Sequence, residues 1–106
     1  MTVRKNIMEI DIEKLKRMQS LHVAFILIDI RDPKVFNENH LQNAFNIPKA
    51  EFLKKLPGTV PKKDTPIVVY GEDGVDAIDY IIGAENLGYI NIVNLEGGYQ
   101  GLNTKA

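Results

Sequence analysis

Gly71-Glu72-Asp73-Gly74-Val75-Asp76-Ala77 is the segment of this chain whose residue types most invite a chemical reading. Its two glycines could cradle a phosphate. No lysine followed by serine or threonine completes a P-loop, however, and carboxylates on the same loop would repel the ligand. The acids have a plainer reading as a solvated turn at a helix N-terminus, where each carboxylate contributes about 0.3–1 kcal/mol. Nucleophiles are scarce, since the chain holds no cysteine and its one serine, Ser20, falls at the end of an expected surface helix. A Ser-His-Asp assembly is therefore not expected. His22 and His40 lie far apart with no spaced acids, which is not a zinc-ligand pattern. Asp29 and Arg31 end an apolar run, the place where α/β folds present ligands. Their plainer role is an ion pair that ties neighbouring loops. No catalytic residue, metal site or cofactor is expected from these residues.

The elements that must position them follow from hydropathy patterning. A short strand is expected over 7–10, then Asp11 as N-cap of a helix whose stripe is Ile12, Leu15 and Met18, running to about Gln19. The apolar run 23–28 reads as a strand buried on both faces, as in a parallel sheet. Pro33 can open a short helix carrying Val35 and Phe36. A strand over 44–47 closes at Pro48, and Ala50, Leu53 and Leu56 suggest a helix that stops before Pro57. Residues 67–70 form a second fully buried strand. The acidic turn then leads into a helix over about 75–87, with Ala77, Tyr80, Ile81, Ala84 and Leu87 on its apolar face, ended by Gly88. Residues 90–95 supply the last strand, followed by Gly97-Gly98. Alternating strands and helices predict an α/β fold, a small central parallel sheet with helices on both faces. Ile26, Ile28, Val68, Tyr70, Ile81 and Ile92 are the expected core.

The 106 residues amount to one domain, 1–106. A hydrophobic fraction of 44% and a charged fraction of 25% are ordinary for a globular chain. With 14 acids against 13 bases and a formal net charge of −1, no basic excess points to nucleic acid. The absence of cysteine removes disulfides, thiolate metal sites and persulfide carriers together. The first ten residues lack a signal peptide's apolar run, and 23–28 is too short to span a bilayer. A soluble cytoplasmic protein without a membrane role is the expectation.

Two stretches carry a resemblance. Leu27-Ile28-Asp29-Ile30-Arg31, followed by His40-Leu41-Gln42-Asn43-Ala44-Phe45-Asn46-Ile47-Pro48, resembles the first signature of rhodanese-like domains. That signature is an apolar strand ending in Asp-x-Arg, then Gly-His-Ile-x-Gly-Ala-x-Asn-Ile-Pro. Ile67-Val68-Val69-Tyr70 resembles the strand before the family's active-site loop, and the stretch from Leu87 to Gly98 its closing segment. The likeness runs over about 10–102. Asn39 and Asn43 stand where glycine is usual, and asparagine tolerates the left-handed backbone best. Leu102 replaces a common tryptophan, so the last helix should be short.

The resemblance implies a structural motif of Asp29, Arg31, His40 and Asn46, with His40 hydrogen bonding in a turn. It also places the loop 71–77 where active members read Cys-x-x-Gly-x-Arg-Ser, and only Gly74 keeps its place. Gly71 has no nucleophile, Asp76 reverses the arginine's charge, and Ala77 offers a methyl for a hydroxyl. The implied function is a catalytically inactive module that binds a protein or ligand through this vestigial loop. The alternatives are a component of a sulfur relay whose thiol comes from a partner, or a structural remnant without ligand. With Glu72, Asp73 and Asp76 in one place, the loop is expected to be neutral or negative. Anions should then bind poorly and a basic peptide better, with a divalent cation the weaker option.

Overall fold

A computed structural model describes residues 7–103. Five strands, β1 (Glu9–Ile10), β2 (Ile26–Asp29), β3 (Phe45–Asn46), β4 (Ile67–Tyr70) and β5 (Ile92–Leu95), form one sheet in the order β1-β5-β4-β2-β3. Every pairing is parallel, with Ile28 opposite Val69 and Val68 opposite Val93 in the central register. Branched side chains suit this pleated, doubly covered surface. The helices are α1 (Ile12–Ser20), α2 (Pro33–Glu38), α3 (Phe52–Thr59), α4 (Ile78–Asn86) and α5 (Gln100–Asn103), with a 3-10 turn at Lys49–Glu51 before α3.

Alternation along the central strands sends side chains to opposite faces. Ile28, Ile67 and Val69 pack with Phe52, Leu56, Ile81 and Ala84 under α3 and α4. Leu27, Val68 and Tyr70 pack with Ile12, Leu15 and Leu95 under α1 on the other face. The expected core is therefore two cores. Ile28, Ile81 and Ile92 belong to the first, Val68 and Tyr70 to the second, and Ile26 is only partly buried against the first.

Asp11 caps α1 as its residue type suggests, with Oδ1 accepting the Lys14 N–H at 2.8 Å. Pro33 occupies the first turn of α2, where its missing donor costs nothing. Several boundaries differ from the sequence-based expectation. The first central strand begins at Ile26 rather than 23, and Val23 is exposed, because the chain is still leaving α1 through His22, whose φ is 57°. The first, third and last strands are likewise shorter than 7–10, 44–47 and 90–95, and Ile90 is exposed.

The helix expected to stop before Pro57 runs through it. Pro57 removes one donor, while Val60 N–H still bonds to Leu56 O at 2.8 Å and the Thr59 hydroxyl to Lys55 O at 3.0 Å. Phe52 and Leu56 are its buried residues, and Leu53 is half exposed. Leu87, expected on the apolar face of α4, is exposed beyond the helix end. Asn43 has φ 69°, the left-handed backbone expected of it. Asn39 is extended at φ −159°, a conformation open to any residue, so glycine tolerance is not what places it.

Candidate functional site

β2 and β4 are neighbours, yet β2 continues to β3 on one side and β4 to β5 on the other. Their outgoing loops part at the C-terminal edge of the sheet, and such a crevice is where parallel α/β folds bind ligands. A cavity of about 290 Å³ opens there, walled by Ile30, Arg31, Val35, Lys49, Glu72 and Asp76 among others.

Arg31 in its wall is paired with Asp29, which does not line the cavity. Asp29 is fully buried and Arg31 nearly so. Arg31 Nε donates to both Asp29 carboxylate oxygens at 3.1 and 3.0 Å, and Nη2 to Oδ2 at 2.8 Å. The Arg31 N–H also reaches Asp29 Oδ1 at 2.8 Å, closing a tight turn at the strand end. The rest of the guanidinium is spent on Asn39 O at 2.6 Å and Glu72 Oε2 at 3.3 Å. Its carbon lies 4.0 Å from the Tyr99 ring centroid and 5.7 Å from that of Tyr70. Burial alone would lower the Arg31 pKa, but hydrogen bonds and charge from Asp29, with Glu72, hold it above its ordinary value. Burial, with Asp29 alongside, pushes the Tyr70 hydroxyl up. That hydroxyl accepts the Leu41 N–H at 3.1 Å. Asn46 Nδ2 bonds to Asp29 O at 3.0 Å and Arg31 O at 2.9 Å, fastening the loop after β2 to β3.

The loop 71–77 folds around its own acids. Asp76 Oδ2 accepts the Glu72 N–H at 3.0 Å, and Oδ1 the Asp73 N–H at 3.4 Å. Asp73 Oδ1 accepts the N–H groups of Val75 and Asp76 at 2.9 and 3.0 Å, which holds its pKa below the ordinary value. These side-chain bonds to backbone amides compete with helical ones. They explain why α4 begins at Ile78 rather than 75. Lys49 Nζ, from the 3-10 turn, pairs with Asp76 Oδ2 at 3.1 Å.

Gly71 is required by this arrangement, since a Cβ at that position would lie 2.5 Å from the Asp76 carboxyl carbon. Gly74, at φ 87°, packs directly on Gly97, and a Cβ on Gly98 would meet Gly74 N at 2.6 Å. The Gly97-Gly98 pair thus lets the end of β5 lie against the loop. Tyr99 N–H to Gly71 O and Gln100 N–H to Glu72 O, both 2.9 Å, complete the clamp.

Each of the three acids is engaged, while Asp73 remains exposed and the Glu72 side chain is 44% exposed. Asp73 and Asp76 turn onto amides, Asp76 is paired with Lys49, and Glu72 is paired with Arg31. Val75 is exposed, while Ala77 is buried and starts the packed face of α4.

His40 lies on the far side of the loop after α2, its Nδ1 2.8 Å from Phe36 O and its ring stacked on Phe36 at 3.9 Å. It does not reach the crevice loops through any hydrogen bond. His22 and Ser20 are exposed near the end of α1. Among the described residues, no group of three or more His, Asp or Glu could hold a metal ion, and no helix is long and apolar enough to cross a membrane.

Three participants were not singled out from the sequence: Lys49, Tyr99 and Asn94. The side-chain amide of Asn94 donates to Gly74 O at 2.8 Å and Glu9 Oε2 at 2.7 Å. A buried-strand position carrying asparagine was the available signal for the last, since a buried amide needs partners. Nothing local marks the other two.

Comparison with known proteins agrees with this geometry. The family model described as rhodanese-like domain matches residues 11–105. Thiosulfate sulfurtransferase PspE of Escherichia coli is 30% identical over 70 residues, which cover 66% of this chain and 67% of that protein. Thiosulfate sulfurtransferase GlpE of Pseudomonas syringae is 26% identical over 81 residues, covering 71% and 69%. Among solved structures, the human single-domain sulfurtransferase TSTD1 superposes with a TM-score of 0.81 at 21% identity, covering 92% of this chain and 96% of that one. At that identity the likeness concerns the fold.

Proposed function

The chain belongs to the rhodanese-like domain family, and on that premise we propose that it is a catalytically inactive member that binds a protein or ligand through the loop 71–77. In this reading Gly71 stands at the position of the family's persulfide-carrying cysteine, directly after β4. The single observation that carries it is the Asp76 carboxylate seated on the Glu72 and Asp73 amides, against the bare α-carbon of Gly71. A loop organised around an internal carboxylate has neither the thiolate nor the open amides that sulfur transfer needs. The module is read as cytoplasmic, with a protein as its partner and neither nucleic acid nor membrane involved.

Two measurements test this. Contaminant-free protein should show no thiosulfate or mercaptopyruvate sulfurtransferase activity above a blank, and saturable turnover would overturn the inactive assignment. Affinity capture from the native host should recover a partner with the wild type and lose it with Glu72→Ala/Asp73→Ala. Equal recovery by both would remove the loop from binding.

The relatives are named thiosulfate sulfurtransferases, and a second reading keeps sulfur transfer by placing this chain in a relay whose thiol a partner supplies. It requires that adding this chain accelerates transfer by a thiol-bearing sulfurtransferase. A flat rate removes it.

A further inference from the structure

We infer that Asp76 is a plug held in place by its own chain: its carboxylate fills a small-oxyanion site made by the Glu72 and Asp73 amides and Lys49, and withdrawing it opens that site. The inference deepens the reading of the loop as a binding element and rests on it. Three donors converge on this one carboxylate. Glu72 N–H lies 3.0 Å from Oδ2, Asp73 N–H 3.4 Å from Oδ1, and Lys49 Nζ 3.1 Å from Oδ2.

They come from two separate parts of the chain. The amides belong to the loop after β4, and Lys49 to the 3-10 turn after β3. Lys49 is placed by its own N–H, which bonds to Ile30 O at 3.1 Å. A cation brought in from another element distinguishes this from an ordinary acidic turn. The loop around it is fixed independently, by Tyr99 N–H on Gly71 O and Asn94 on Gly74 O. The donors should therefore keep their places when the carboxylate leaves.

Space and access are also present. Gly71 contributes no side chain behind the carboxylate, and the cavity of about 290 Å³ reaches both Asp76 and Lys49. An oxyanion entering from the cavity would find two amides and an ammonium unpaired, and charge-assisted bonds of this kind are the stronger ones. In the wild type it must compete with a carboxylate tethered four residues from the first amide. Tethering gives that carboxylate a high effective concentration, so free anions bind poorly. The site is closed by occupancy rather than by a reversed field. Glu72 does not block it, because its carboxylate is drawn to Arg31 at 3.3 Å.

The test is titration with sodium sulfate at constant ionic strength, following the backbone amides of 71–77 by NMR in wild type, Asp76→Ala and Asp76→Ala/Lys49→Ala. The Asp76→Ala protein should show saturable shifts at the Glu72 and Asp73 amides, with sulfate bound at least about tenfold more tightly than by wild type, or about 1.4 kcal/mol. Adding Lys49→Ala should weaken binding again. If Asp76→Ala does not fold, Asp76→Ser carries the same comparison, since its short side chain also vacates the carboxylate's seat. A folded plug variant without saturable shifts, wild-type binding as tight as the variant's, or indifference to Lys49 would each overturn the inference. Partner capture by wild type is a separate readout, so either result can fail while the other stands.

Discussion

Gly71 and Asp76 share one space: the carboxyl group of Asp76 lies where a side chain at position 71 would begin. The relationship is reciprocal. A residue larger than glycine at 71 must expel the carboxylate, and the carboxylate in its seat requires glycine at 71. In the proposed reading, which sets this loop against the active rhodanese-like one, both residues are departures, and this contact links the two.

Gly71→Cys alone should therefore restore little or no thiosulfate sulfurtransferase activity. The new side chain meets the Asp76 carboxylate and must displace it from its seat on the loop amides. The acids beside it also raise the thiol's pKa and repel an anionic donor. Adding Asp76→Arg and Ala77→Ser should recover more activity than the single change. A single variant as active as the triple would refute the steric and charge argument together.

Arg31→Ala should destabilise the fold by about 3–5 kcal/mol, because it leaves the fully buried Asp29 carboxylate without its counter-charge. Arg31→Lys should also lose stability, since an ammonium cannot reproduce the fork of bonds to Asp29 and Asn39. The double change Asp29→Asn/Arg31→Met should be milder than Arg31→Ala. Denaturant melts with equal slopes decide it, and a harmless Arg31→Ala would contradict the pair's burial.

Ile28→Ala and Val68→Ala should each cost roughly 1–4 kcal/mol, one from each core layer. In a domain of this size such a loss is a large part of the total stability. Unchanged thermal melts for either would take its strand out of the interior.

Acid should loosen the start of α4 before the rest of the fold. The folded-state pKa of Asp73 is lowered by hydrogen bonds from Val75 and Asp76. Its contribution is thus full above the ordinary aspartate pKa and is lost as pH falls through that value toward the folded one. Amide shifts and exchange at Val75 and Asp76 should report this, and Asp73→Asn should abolish the dependence. A loop indifferent to pH over that window would mean that the Asp73 caps contribute nothing.

The sequence by itself determined the architecture. Short branched runs alternating with helical stripes define a parallel α/β sheet, Asp11 and Pro33 mark helix starts, and a loop without a thiol after Tyr70 was plain in the residues. The two-layer division of the core followed only partly, because a fully apolar strand does not say which of its residues face which helix. Tertiary structure alone decided the site. Whether Asp73 and Asp76 face solvent or turn onto amides depends on side-chain bonds that differ from their solvated alternatives by only about a kcal/mol. Contacts distant in sequence tip that balance. Lys49 comes in from the turn after β3, Tyr99 covers Arg31 from the segment after β5, and Gly97 and Gly98 let that segment close on Gly74. None of these approaches is written in the seven residues of the loop, so its residues alone do not tell that Asp76 sits on amides and Lys49 while Asp73 stays exposed.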